Sequence, residues 1–402
     1  MRPADAVRWL AGLLLALAAG IAQAQAAPPT TTAAAAPRIG VVTMGPGEIF
    51  WERFGHDAIV VEDPATGART NYNFGFFDLE EAGFLGRFVQ GRMQYMLVAL
   101  PLEQDLAYYR DVGRGAAVQW LDLDPAQARQ LAADLAENAR PENARYRYDY
   151  YTDNCATRVR DALDRALGGQ LQRTLVGRSS GDTWRSESLR LASPAPWMWL
   201  AFDIGLGPRA DRPLSRWQLG FIPSRLADGL RETRRADGRP LVAGEAVLLP
   251  QRLPPEPVGS APRIWPWWLA GMAIAGLVLW AGGRHPRALA AAAGMFWLAC
   301  AVLGSVLALG WAFTDHQAMW ANRNLLLFNP LAWLLLPGAW SILRGRTPSA
   351  RFRGLLVVLA VLAALACLPL WLQALPQRNG HWIALLLPIH AALARAWPRR
   401  AP

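Results

Sequence analysis

Residues 146–161 read YRYDYYTDNCATRVRD, and this stretch decides how the first half of the chain folds. Tyr146 to Tyr151 interleave aromatic and charged side chains, the period-two pattern of a strand. Thr152-Asp153-Asn154 then breaks the pattern, and helical spacing follows from Ala156 to Leu167, closed by Gly168-Gly169. Asp153 or Asn154 can cap that helix, because a short side-chain oxygen accepts one of its orphan N–H groups. Cys155 falls in the first turn, where the positive end of the helix dipole is expected to favour thiolate and lower the thiol pKa. A strand that hands over to a helix beginning on a cysteine points to an α+β domain with a nucleophile in it.

Working outward, strands are expected over 39–44, 58–62, 70–74, 94–100 and 117–121. These are β-branched or aromatic runs separated by turn signals such as Gly45-Pro46-Gly47. Helices are expected over 102–111 and 125–138, the second with Asp124 as cap and Pro125 in its first position. From 182 to 230 the signals are weak and suggest short helical pieces. Together 38–252 reads as one thiol-enzyme domain. Residues 1–26 have the parts of a signal peptide: Arg2 and Arg8, an apolar run, and small residues at Ala22, Ala24 and Ala26. Residues 27–37 read as a flexible tether and 253–263 as a proline-rich linker.

Residues 264–402 are far more apolar. Spans are expected near 264–283, 289–313, 325–343, 355–375 and 382–396, an all-α transmembrane bundle of about five helices. If the thiol domain is exported, the inner loops and tail hold Arg284, Arg287, Arg344, Arg346, Arg351, Arg353, Arg395, Arg399 and Arg400. The outer loops hold only Arg323 and Arg378. That is the positive-inside pattern, and it agrees with the signal peptide in leaving the C-terminus cytoplasmic. All 41 cations are arginine, and the net charge is +10. They are scattered or flank apolar spans, so no nucleic-acid partner is expected. The lack of lysine excludes a P-loop, a Ser–Lys dyad and a Schiff-base lysine.

Of the three cysteines, Cys300 and Cys367 lie in expected spans, which leaves Cys155 without a partner in an exported domain. Unless that thiol is simply buried and inert, its candidate base is His56, the one histidine of that domain, in Phe54-Gly55-His56-Asp57 ahead of an apolar strand. A lone histidine is commonly structural, but one cysteine and one histidine in one domain make a pair. The imidazole would take the thiol proton and return it to the leaving group. A third group should orient the ring. Asn73 is the candidate, with Asn71 sharing its strand face, whereas Asp57 points the other way in a regular strand. Asn154 could shape an oxyanion site with the Cys155 N–H. The outer loop supplies His316, Asn322 and Asn324, and Asn329 lies deeper. These form a possible membrane-face site, or else cap and loop residues. Asp315, His316 and His381 lack the spacing of a zinc site, so neither metal nor cofactor is expected.

Four pieces, FGHDAIV (54–60), NYNFGFFD (71–78), YRYDYYTDNCATRVRDAL (146–163) and TDHQAMWANRNLLLFNPL (314–331), resemble the Lnb N-terminal periplasmic domain family of bacterial envelope proteins. The resemblance implies a permuted NlpC-type, papain-like thiol domain ahead of a membrane bundle in the inner membrane. It assigns His56 and Cys155 as the dyad. It also implies transfer of an acyl chain from a phospholipid donor to the N-terminal amine of a lipoprotein acceptor. Two other readings stay open. One is a membrane-tethered thiol hydrolase acting on cell-wall peptides or lipids, and the other is a non-catalytic binding or sensor protein.

Overall fold

The computed structural model describes residues 35–259, 261–368 and 377–397. The expected signal peptide and most of the tether lie outside them. Seven antiparallel strands make one sheet: β1 Arg38–Met44, β2 His56–Glu62, β3 Arg69–Phe76, β4 Gln94–Pro101, β5 Ala116–Leu121, β6 Arg145–Arg147 and β7 Val242–Leu249, in the spatial order β6-β4-β3-β2-β1-β5-β7. The N-terminal helices are α1 Phe84–Gln90, α2 Leu102–Asp111, α3 Pro125–Asn138, α4 Cys155–Ala166, α5 Gln170–Leu175, α6 Trp184–Ala192, α7 Pro196–Gly205, α8 Arg216–Leu219 and α9 Pro223–Glu232.

The pleat explains the layers. On one face Val42, Met44, Ala58, Val60 and Val118 bury the stripe Leu102, Leu106 and Tyr109 of α2. On the other, Val41, Ile59, Tyr72 and Phe74 bury Leu131 and Leu135 of α3 with Val159 and Leu163 of α4. Leu163 is fully buried, so Leu163→Ala should cost about 2–5 kcal/mol through lost transfer energy and a cavity.

Two local outcomes differ from the sequence reading. The strand expected over 146–151 is only the three residues of β6. Asp149 ends it: its Oδ1 accepts from the N–H groups of Tyr151 at 3.0 Å and Thr152 at 2.9 Å, which closes an Asx turn. The tyrosine alternation instead serves ring packing, with Tyr95 on Tyr148 at 4.2 Å between centroids. Strand β7, in a segment without an assigned element, completes the sheet beyond β5.

The C-terminal region contains α10 Ile264–Arg284, α11 Pro286–Phe313, α12 Leu336–Leu343, α13 Ala350–Leu365 and α14 Gly380–Arg395. Among the described residues, three segments are long and apolar enough to cross a membrane: α10, α11 and Arg323–Leu343. The third is not one α-helix. Two 3-10 turns, Arg323–Leu326 and Pro330–Leu335, lead into α12. Five spans were expected, but α13 and α14 have 16 residues each. That is about 24 Å at 1.5 Å per residue, short of a hydrocarbon core of about 30 Å. Residues 369–375 of the expected fourth span lie outside the described ones. Helices α10 and α14 meet backbone to backbone, since a Cβ on Gly271 would stand 2.6 Å from Ala384 O.

Candidate active site

His56 opens β2 opposite Met44, while Asn73 and Asn71 of β3 stand opposite Ala58 and Val60. The period of two places all three polar side chains on the α2 face. There Asn73 Oδ1 meets His56 Nε2 at 3.1 Å, Asn73 Nδ2 donates to Asp105 Oδ2 at 3.0 Å, and Asn71 Nδ2 donates to the same oxygen at 2.5 Å. The chain of donors fixes the tautomer. A carboxylate only accepts, so Asn73 turns its NH2 to Asp105 and its oxygen to the ring. Nε2 then carries the hydrogen, and Nδ1 keeps its lone pair for a thiol proton. Burial lowers the His56 pKa and Arg114 adds to this, while Asp105 and the Asn73 bond oppose it. The balance favours the neutral ring.

Asp105 was not singled out in the sequence. Its signal was available: it lies on α2 beside the buried stripe of Leu102, Leu106 and Tyr109, where a carboxylate needs a polar partner. The Glu52–Arg114 pair was also missed. It is buried at 3.2 Å, and Arg114 Nε donates to Gly45 O at 2.9 Å.

Cys155 begins α4 on the opposite layer, at the end of the sheet. Asn154 is the N-cap: its Oδ1 accepts from Thr157 N at 2.9 Å, and Thr157 Oγ1 accepts from Asn154 N at 2.7 Å. Its Nδ2 donates to Tyr150 O and Phe221 O at 3.0 and 2.9 Å. The expected oxyanion role of this side chain is therefore closed, because both polar ends are engaged and buried. Asp153 is not the cap; it pairs with Arg158, whose Nη2 donates to Oδ2 at 2.8 Å. Gly75, at a bulge in β3 with φ of 96°, leaves room for the cysteine: a Cβ there would be 3.5 Å from Cys155 Cβ.

The thiol is not pre-ionised as the helix start suggested. Burial and the Asp57 carboxylate push it up to about 12, against the N–H groups of Asp57, Ala156 and Cys155 itself, which favour thiolate. Three amide dipoles do not offset removal of the sulfur from water. The Asp57 N–H belongs to the residue after His56, so the sulfur lies at the end of β2 that begins with His56, but no hydrogen bond joins the thiol to the imidazole among the described residues. Asp57 itself is fully buried. Its Oδ1 accepts from Thr43 Oγ1 at 2.7 Å, and among the described residues its Oδ2 has no partner. Burial raises its pKa to about 7.

Residues 25–188 match the family profile described as the Lnb N-terminal periplasmic domain, and residues 260–397 match the Lnb transmembrane domain. The chain belongs to the Lnb-like family. No curated protein and no solved structure matches it. It is thus a membrane protein with a periplasmic domain and a membrane-spanning C-terminal region.

In this Lnb-like chain the outer-loop residues join the two parts. His316 Nε2 bonds Phe88 O at 3.0 Å. Asn322 Nδ2 donates to Ile204 O and Gly205 O at 2.8 and 2.9 Å, and Asn324 Nδ2 donates to Ile204 O at 2.9 Å. Asn329 caps the turn after it, accepting from Leu331 N at 3.0 Å. Asp315 lies between Arg92 and Arg147, and His381 bonds Asp203 at 2.6 Å, so each group of the conceivable zinc trio is engaged elsewhere. No cluster of His, Cys, Asp and Glu among the described residues could hold a metal ion.

Proposed function

We propose that the protein is a membrane-bound periplasmic thiol acyltransferase, with Cys155 as nucleophile, His56 as acid–base and Asn73 as its orienter. The observation that carries this reading is the hydrogen-bonded line Asp105–Asn73–His56, which occupies Nε2 of a ring at the head of β2, next in the chain to the Asp57 N–H that meets the sulfur. A neutral thiol and neutral imidazole act together. As sulfur attacks an ester carbonyl, its proton passes to Nδ1, and the N–H groups of Cys155 and Ala156 face the forming oxyanion. The C–O bond then breaks, and the departing alkoxide takes the proton from His56, which leaves a thioester. An amine attacks the thioester, its proton goes to His56, and the sulfur leaves and recovers it.

A phospholipid as ester and a lipoprotein N-terminal amine as acceptor fit a thiol held beside a membrane bundle, with the C-terminus on the cytoplasmic side. The test is trapping of the intermediate. Full-length protein in proteoliposomes with acyl-labelled phospholipid should carry label on Cys155 that neutral hydroxylamine releases. His56→Ala and Cys155→Ala should not. Label that persists in Cys155→Ala, or full function of that variant in cells, would overturn the proposal. Lipoprotein N-termini from cells with and without the gene, compared by mass spectrometry, test the acceptor.

A further inference from the structure

The periplasmic domain carries an unbroken run of aromatic rings. Phe88 meets Phe84 at 6.4 Å between centroids, Phe84 meets Phe77 at 5.7 Å, Phe77 meets Trp51 at 6.0 Å, Trp51 meets Phe50 at 4.8 Å, and Phe50 meets Trp197 at 6.4 Å. Much of this ladder lies open: Trp51 is 43% exposed and Trp197 62%. Leu85 and Val89 on the outer side of α1 are 73% and 59% exposed. Single exposed apolar residues need no explanation, but a contiguous row of this length does.

Both ends of the row are fastened to the outer end of the bundle. Helix α1 is held where Asp315 N donates to Gln90 O at 2.8 Å and His316 bonds Phe88 O. Helix α7, which carries Trp197, is held where Asn322 and Asn324 grip Ile204 and Gly205. The middle passes the thiol, since Phe77 follows Gly75 by two residues and Gly75 packs on Cys155. Both anchoring segments, 314–316 and 322–324, lie at the ends of segments long and apolar enough to cross a membrane. Tryptophan and phenylalanine favour the membrane–water interface.

We propose that this aromatic ladder is a lipid-contacting lip of the periplasmic domain, inserted among the acyl chains of the outer leaflet. The face next to Cys155 is then covered by lipid tails rather than by water or a protein partner. This placement goes beyond the thiol chemistry and does not require it.

The experiment uses the full chain in proteoliposomes of phosphatidylcholine doped with a lipid bearing a diazirine at the acyl terminus, or in parallel in the headgroup. Adducts are mapped by mass spectrometry. The acyl probe should label peptides containing Phe50 and Trp51, residues 84–89 and Trp197. Trp51→Glu combined with Trp197→Glu should reduce that labelling several-fold while labelling of α10 stays constant, which shows the variant is folded and inserted. Cys155→Ala should label like the wild type, so a failure of the acyltransfer reading would leave this result intact. Acyl adducts confined to the bundle helices, or periplasmic adducts from the headgroup probe alone, would overturn the inference.

Discussion

Wild-type Cys155 should be a slow thiol whose reactivity climbs without a plateau through the neutral range. With its pKa pushed up to about 12, roughly one molecule in ten thousand holds thiolate at pH 8, against about a quarter for an ordinary cysteine near 8.5. Alkylation proceeds through thiolate, so iodoacetamide should modify Cys155 on the order of a thousandfold more slowly than an exposed cysteine at that pH. Partial burial slows any reagent too, so the slope with pH is the sharper measure. The rate should rise about tenfold per pH unit from 7 to 10. Asp57→Asn removes the neighbouring carboxylate that raises the thiol pKa, so its rate at pH 8 should exceed that of the wild type. The assay is mass-spectrometric quantitation of the Cys155 peptide from full-length protein in nanodiscs. A wild-type plateau below pH 7 would refute the argument. It would mean a preformed thiolate–imidazolium pair, with helix dipole and histidine outweighing burial.

Asp57 should also govern stability. Its pKa of about 7 in the folded protein, against 3.8 ordinarily, means that folding favours the protonated carboxyl. That contribution is complete below about pH 4 and is lost as pH rises through 7, up to about 4 kcal/mol for roughly three units. Asp57→Asn should therefore gain on the wild type in thermal stability between pH 5 and pH 8; an equal difference at both pH values would count against the buried carboxyl. Asp105→Ala strips the acceptor from two buried amides, which should cost on the order of 2–4 kcal/mol, and removes a charge that raises the His56 pKa, so the acidic limb of the pH–rate profile should move to lower pH. Asp105→Asn, still an acceptor, should retain more of the stability, and equal losses would disprove the relay. Asn322→Ala frees the Gly205 carbonyl of α7 and leaves Ile204 O with its Asn324 bond alone, and should cost about 1–3 kcal/mol. It should speed amide exchange in 196–205, and unchanged exchange there would show that this contact does not hold the junction.

Much of the thiol domain was legible because its signals are local. Helices 102–111 and 125–138 were read to the residue, since proline, cap and apolar period coincide at their ends. Five strands were also found, each within two residues at either end. The sixth was overread because aromatic alternation serves ring stacking as well as pleating, and one Asx turn decided between them. The seventh, Val242–Leu249, carries Gly244 and Glu245 in its middle and owes its pairing to β5, which lies over a hundred residues away in sequence. The His56–Asn73 contact followed from period and adjacency. Two aspects of the site could not be read this way. Asp105 reaches it through packing of α2 on the sheet, and the pKa of Cys155 is set by burial, which depends on everything around it. The helix start pointed to a thiol of lowered pKa, and burial of Cys155 reverses that direction.

The junction between the two parts is built from polar groups, and that choice has a consequence. Arg185 donates through Nε to Asp211 at 3.0 Å and through Nη1 and Nη2 to the carbonyls of Asp203 and Leu206. Asp203 accepts from Trp382 Nε1 at 2.8 Å and bonds His381, while Asp211 accepts from Arg378 N at 3.2 Å. Arg185, Asp203 and Asp211 are all buried. Ions removed from water in this way cost several kcal/mol each, so the cluster adds little to net stability over an apolar seal of the same volume. What it adds is direction. An apolar seal tolerates sliding, whereas these carboxylates and carbonyls are satisfied in one docking pose and left unpaired in any other. The pose of α7 on the bundle is therefore fixed by these residues. On the proposed acyltransferase reading, a fixed docking pose is what a site that meets an ester at one depth in a leaflet requires, whereas a hydrolase of soluble substrate on an anchor does not require it.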